Sequence, residues 1–162
     1  AKATTNGISP LGAVACKEEI YDAVMDGSPK GSIELFHGYT YSGIPVAVSA
    51  AIAVQKIFEK EDIFNRVKNL SKYFEEGLHS LKDLSCVDSI RNYGLLGGVD
   101  ISMRDKPGKA GFNVYKKCYD AGVNIKPTGD ALIIAPPFVC DKKDIDEIIE
   151  KMRLGISNHI KS

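Results

Sequence analysis

At 162 residues, with 44% hydrophobic and 26% charged side chains, the chain has ordinary globular composition and room for one sizeable core or one domain plus part of another. Its 21 basic side chains balance 21 acidic ones, so no basic excess is available to neutralise nucleic-acid phosphates or an anionic membrane surface. No apolar run reaches the roughly 18 residues a membrane span needs, and no charged-then-apolar leader is visible.

The chain opens Ala1-Lys2-Ala3-Thr4 without an initiator Met, which suggests a piece of something longer. A polar, Gly-containing turn over residues 4–10 leads into the apolar run Leu11-Gly12-Ala13-Val14-Ala15-Cys16, which reads as a buried strand. Residues 17–25 predict a short helix with Ile20, Val24 and Met25 on one face, and residues 26–32 a loop. A Gly- and Tyr-rich stretch over residues 37–45 follows. It leads into Val46-Ala47-Val48-Ser49-Ala50-Ala51-Ile52-Ala53-Val54, which is apolar on all sides. Such a helix belongs inside a larger body, and Pro45 suits its first turn, where a missing N–H costs nothing.

Residues 60–82 show a helical stripe of Ile63, Val67, Leu70, Phe74, Leu78 and Leu81 at three- or four-residue steps. From Val87 the pattern becomes β-like. One strand is expected over 87–91 and another over 95–103, with Asn92-Tyr93-Gly94 as the turn, then a polar loop over 104–109. Phe112, Tyr115 and Tyr119 lie on a helix that ends at Gly122. Val123-Asn124-Ile125 and residues 131–135 read as paired strands around Pro127-Thr128-Gly129-Asp130. The last helix begins after Asp141, an N-cap with Asp144 three residues on, and carries Ile145, Ile148, Ile149, Met152 and Ile156 as its apolar stripe. A boundary is expected near residue 60, giving regions 1–60 and 61–162, the second a β-β-α-β-β-α unit.

Cys16, Cys86, Cys118 and Cys140 are widely spaced and read as reduced core thiols of a cytoplasmic protein rather than a zinc or disulfide set. The acidic residues Asp141, Asp144, Asp146 and Glu147 read as a solvated helix face, so no metal site is expected. Gly94-Leu95-Leu96-Gly97-Gly98 lacks the spacing of a nucleotide loop and fits a strand that needs close packing.

Two segments together resemble a known family. Ala1-Lys2-Ala3-Thr4-Thr5-Asn6-Gly7 with Pro10-Leu11-Gly12-Ala13-Val14 comes first, then Phe36-His37-Gly38-Tyr39-Thr40-Tyr41-Ser42-Gly43 with Pro45-Val46-Ala47. Ile90-Arg91 with Gly94-Leu95, Gly129-Asp130 and Pro136-Pro137 support the match. In that order they resemble class III pyridoxal-phosphate aminotransferases, especially the ω-amino acid–pyruvate type. The resemblance implies an α/β fold: the C-terminal part of a fold-type I transferase, with the rest of the cofactor-binding large domain over residues 1–60 and a small α+β domain over 61–162. It implies pyridoxal 5′-phosphate as cofactor, Lys2 as the Schiff-base lysine and catalytic base, and Tyr39 and Thr40 as contacts to the phosphate across a homodimer. It implies amino transfer from an ω-amino acid or amine to pyruvate, a 2-oxo acid, with the N-terminal part of the enzyme as a missing partner and the isolated piece inactive.

Three positions depart from the family pattern. Lys126 stands at or near the position of an arginine that grips a substrate carboxylate, keeping the charge but losing the bidentate fork. Ile44 replaces a usual histidine, and Thr4 a larger apolar residue. His37 reads as structural rather than catalytic. The rival expectation is a non-catalytic dimerisation or binding module derived from a truncated or degenerate aminotransferase.

Overall fold

The computed structural model describes residues 2–31, 38–102 and 107–160. Ala1, the Phe36-His37 start of the second motif and residues 104–106 of the expected polar loop lie outside the described residues. The chain divides into two compact units, Ala1–Glu61 and Asp62–Ser162.

The first unit is helical throughout its described elements. A 3-10 turn, Lys2–Thr4, precedes α1 (Glu18–Asp26) and α2 (Pro45–Lys60). Pro45 opens α2, as its missing N–H allows. The strand expected over residues 11–16 does not form: the segment takes no regular structure and is largely exposed, Val14 at 96%. A strand requires a hydrogen-bonding neighbour, and among the described residues of this unit none is extended beside it. Cys16 is exposed with it, which corrects the expectation of a core thiol there. Only Ala47 and Val54 of α2 are buried, while Val46 and Ile52 are at least half exposed. The all-round apolar character of α2 is therefore not used up within this chain.

The second unit has its own core. A four-stranded antiparallel sheet runs β1 (Val87–Tyr93), β2 (Leu96–Ile101), β4 (Ala131–Ile134), β3 (Lys126–Thr128) in spatial order. Two helices, α3 (Ile63–His79) and α4 (Ala110–Asp120), pack on it, and α5 (Lys142–Ile160) packs against both of them. Alternation along the strands sends Val99, Leu132 and Ile134 into the core, where they join Phe74, Leu78, Val114, Ile145, Met152 and Ile156.

Three glycines set how closely these layers approach. A Cβ on Gly97 would lie 2.5 Å from Leu78 Cδ2 and 3.1 Å from Phe74 Cζ, so the bare strand backbone makes room for α3. A Cβ on Gly155 would lie 2.7 Å from the backbone nitrogen of Cys118, so α4 and α5 cross at near backbone contact. Gly77 likewise seats Ile149. Gly97 thus serves close packing, as expected from its place in a strand.

Local boundaries differ from the expectations for specific reasons. The hairpin turn is Gly94-Leu95, with Gly94 at φ +56°, and Asn92 and Tyr93 stay in β1 opposite Gly97 and Leu96. The helix expected over 60–82 is interrupted at Asp62 (φ +48°), runs Ile63–His79 and ends in a 3-10 turn, Ser80–Asp83. The strand expected at Val123-Asn124-Ile125 lies three residues later. Gly122 (φ +93°) donates to the Tyr119 carbonyl and Val123 N–H to the Cys118 carbonyl, a Schellman closure of α4. Val123 has spent its donor on that closure and is buried, so pairing begins at Lys126. β3 is an edge strand, where Pro127 is tolerated.

The N-terminus of α5 carries the expected reciprocal cap. Asp144 N–H donates to Asp141 Oδ1 at 3.1 Å, and Asp141 N–H to Asp144 Oδ2 at 2.9 Å. Replacing Asp141 with Ala is expected to cost about 1 kcal/mol and to lower the unfolding midpoint by several degrees in a thermal melt.

Candidate active site

Lys2 starts the 3-10 turn, and its side chain is exposed. The segment behind it folds tightly. Gly7 N–H donates to the Lys2 carbonyl at 2.9 Å, with Asn6 (φ +52°) and Gly7 (φ +76°) both in the left-handed region. Thr5 is fully buried, and its hydroxyl donates to the Ser9 carbonyl at 2.6 Å. Asn6 tolerates that conformation through its short polar side chain and Gly7 through its missing Cβ. Sequence reading missed the role of Thr5; a Thr followed by Asn-Gly is the signal for such a tight polar turn.

Tyr39 and Thr40 lie at a second turn. Ser42 N–H donates to the Tyr39 carbonyl at 2.9 Å, and Tyr39 N–H returns to Ser42 Oγ at 3.2 Å. Gly43 (φ +69°) then passes the chain through Ile44 into α2. Tyr39 and Thr40 are exposed. A Cβ at Gly38 or Gly43 would meet nothing within 4 Å, so a ligand can reach this backbone directly. Within the first unit α2 links the two motifs: it lies beside the Lys2–Thr4 turn and follows straight on from the Tyr39-Thr40 turn.

Lys126 belongs to the second unit, on the sheet face turned away from the core. It sits opposite Ile133, which faces Gly98, which faces Arg91. The Arg91 side chain drapes over Gly98, 3.5 Å from where a Cβ would be, and its guanidinium bonds the Asp100 carboxylate together with the Ser89 hydroxyl. These two donors, Arg91 foremost, hold the Asp100 carboxyl below the usual carboxylate range. Arg91 is therefore committed to Asp100. Beside Lys126 is a cleft of about 530 Å³ whose walls include Tyr115, Ile125, Ile133, Pro137 and Ile148.

Among the described residues no three or more His, Cys, Asp or Glu are grouped to hold a metal, and no helix is long and apolar enough to cross a membrane. Cys86, Cys118 and Cys140 are buried, and burial pushes the Cys118 thiol up to about 12, so it is an inert packing group.

A primary amine on a fixed turn, and a hydroxyl among glycines that leave their backbone open, are suited to an aldehyde and a phosphate respectively. Residues 1–156 match the family model for class-III aminotransferases, and the chain belongs to that family, whose cofactor is pyridoxal phosphate. It is 40% identical over 154 residues to an omega-aminotransferase of Caulobacter vibrioides, covering 94% of this chain and 35% of that protein. It is 36% identical to an omega-amino acid–pyruvate aminotransferase of Pseudomonas putida, covering 93% of this chain and 34% of that protein. An amine transaminase from an uncultivated Pseudomonas species, solved in its PLP-bound internal aldimine form, superposes with a TM-score of 0.86 at 28% identity, covering 96% of this chain and 36% of that one. The fold is therefore that of part of a PLP-dependent transaminase, and the chain spans about a third of the length of the relatives it matches.

Proposed function

We propose that this chain is the C-terminal part of a cytoplasmic, homodimeric aminotransferase that passes an amino group from an ω-amino acid or amine to pyruvate. The first unit belongs to the large domain and the second is the small domain. The observation that carries this reading is the arrangement around α2, which adjoins the turn bearing Lys2 and follows directly from the turn bearing Tyr39 and Thr40. The likeness to the omega-amino acid–pyruvate aminotransferase of Pseudomonas putida supports pyruvate as acceptor.

Pyridoxal phosphate, when bound, supplies the aldehyde that takes up the amino group and the ring that withdraws electrons from it. Lys2 Nζ would hold the cofactor's aldehyde and, when not bound to it, would move a proton at the reacting carbon. Tyr39 and Thr40, with the backbone of their turn, would hold the phosphate of the partner subunit's cofactor. Lys126 holds the substrate carboxylate as a point charge. The chain of residues 1–162 alone is inactive, since this reading places part of the cofactor site in the remaining two thirds of the enzyme.

The full-length enzyme supplied with β-alanine and pyruvate is expected to release alanine. Release of glutamate from 2-oxoglutarate with no turnover of pyruvate would contradict the acceptor. Lys126→Ala is expected to raise KM for β-alanine about tenfold, the value of one charged hydrogen bond, and to leave KM for a carboxylate-free amine unchanged. Lys126→Arg should retain affinity for β-alanine. The Lys-for-Arg departure favours a second reading, a non-catalytic module; failure of the full-length protein to take up any pyridoxal phosphate would establish it.

A further inference from the structure

We propose that Asp130 is a positioning residue for Lys126, locking the turn between β3 and β4 to the start of α4; this rests on the reading of Lys126 as the carboxylate-binding group. The sequence of α4 supplies no cap of its own, since Lys109 precedes it and its side chain makes no capping bond. The acceptor comes from 20 residues away. Asp130 Oδ1 takes the Ala110 N–H at 3.0 Å, and its Oδ2 takes the Gly108 N–H at 2.7 Å. A carboxylate at a helix N-terminus also meets the positive end of the helix dipole. The Asp130 carbonyl accepts from Ile101 N–H at 2.8 Å, tying the same residue to β2.

The opposite side of the turn is gripped as closely. A Cβ on Gly111 would lie 2.4 Å from the Gly129 carbonyl oxygen and 3.1 Å from Asp130 Cα. Only glycine lets the first turn of α4 sit directly on the backbone of the β3–β4 turn. Gly129 itself (φ +58°) occupies the left-handed region, so the turn has a defined shape.

Lys126 depends on this clamp more than a central strand residue would. β3 is three residues long, pairs with β4 alone, and includes a proline that cannot donate. Beyond the packing of α4 on the strand and the buried Ile125 just before it, its anchor is the turn that ends in Asp130. Removing the carboxylate frees that turn, and Lys126 then loses its fixed place opposite Ile133. A flexible lysine needs that fixed base more than an arginine would, because a point charge on a four-carbon stem gains nothing from a rigid fork.

Two measurements test this. The first is hydrogen exchange on the chain 1–162. Asp130→Ala is expected to raise exchange at least tenfold over residues 108–112 and 126–130 while α3 and α5 keep their protection. Exchange unchanged over 126–130, or raised across the whole unit, overturns the clamp. The second uses the full-length enzyme with β-alanine and a carboxylate-free amine. Asp130→Ala is expected to raise KM for β-alanine about tenfold with kcat and the amine's KM unchanged, Asp130→Asn, which keeps one acceptor and sets a donor against the other N–H, to recover only part of the loss, and Lys126→Ala/Asp130→Ala to be no worse than Lys126→Ala. Gly111→Ala disturbs the same turn from its other side and should give the same selective loss. Selectivity in Lys126→Ala without it in Asp130→Ala or Gly111→Ala overturns the positioning role. Loss of selectivity in Lys126→Ala itself overturns the reading of Lys126, and with it the functional half of the inference, while the exchange result still decides whether the clamp exists.

Discussion

Lys2→Ala in the full-length enzyme is expected to lower kcat by roughly a thousandfold or more, since proton transfer by a positioned side chain alone contributes about 10² to 10⁴. The amine has two duties in the proposed cycle, anchoring the cofactor and moving the proton, and alanine supports neither. Lys2→Arg should fail almost as badly, because a guanidinium stays protonated and does not condense with an aldehyde. The folded structure should survive both changes. Lys2 is exposed, and the turn behind it is held by its own backbone carbonyl and by Thr5, not by its side chain. An unchanged thermal melt of the cofactor-free protein beside a collapsed kcat therefore separates chemistry from folding. A variant that keeps more than about a tenth of wild-type turnover would remove Lys2 from the mechanism, because even one proton-transfer role is worth more than that.

Phe74→Ala is expected to cost about 3–5 kcal/mol of stability in the second unit, the range for emptying an aromatic from a closed core. Phe74 has no exposed surface, and Gly97 on β2 leaves the space its ring fills, with Leu78 beside it. A glycine partner contributes no side chain that could collapse into the cavity, so relief must come from moving α3. For a domain of this size the loss corresponds to a fall of roughly 15 °C or more in the midpoint of a circular-dichroism melt of the chain 1–162. Leu154→Ala, at a half-exposed position on α5, should cost about 1 kcal/mol or less and serves as the contrast.

The second unit was readable because it contains what it needs. The stripes on α3 and α5 both repeat at helical steps, and both feed the same core. Asp141 and Asp144 announce the start of α5 in sequence and cap each other in the structure. Boundaries failed where local chemistry claimed a donor that pattern alone cannot see. Val123 looks like strand, yet its N–H closes α4, and pairing waits until Lys126. The first unit was less legible for a different reason. Residues 11–16 and α2 have the apolar content of buried elements, but burial needs neighbours, and Val14, Val46 and Ile52 stay exposed here.

The candidate site divides the same way. Lys2, Tyr39, Thr40 and Lys126 were singled out by motif and order, not by periodicity, since a lysine on a turn and a Gly-Ser-Thr-Tyr loop are common in themselves. Asp130 was noted only as half of a Gly-Asp pair. Its bonds to Gly108 and Ala110 span 20 residues or more, beyond any sequence window, and the missing cap at Lys109 was the one local hint that an acceptor had to arrive from elsewhere.

The most direct test of the central claim is chemical. The full-length enzyme loaded with pyridoxal phosphate, reduced with borohydride and digested, is expected to yield a single peptide bearing a pyridoxyl group on Lys2, with loss of the visible absorbance band. The label on another lysine, or no stable label after reduction of a fully loaded protein, would contradict the account.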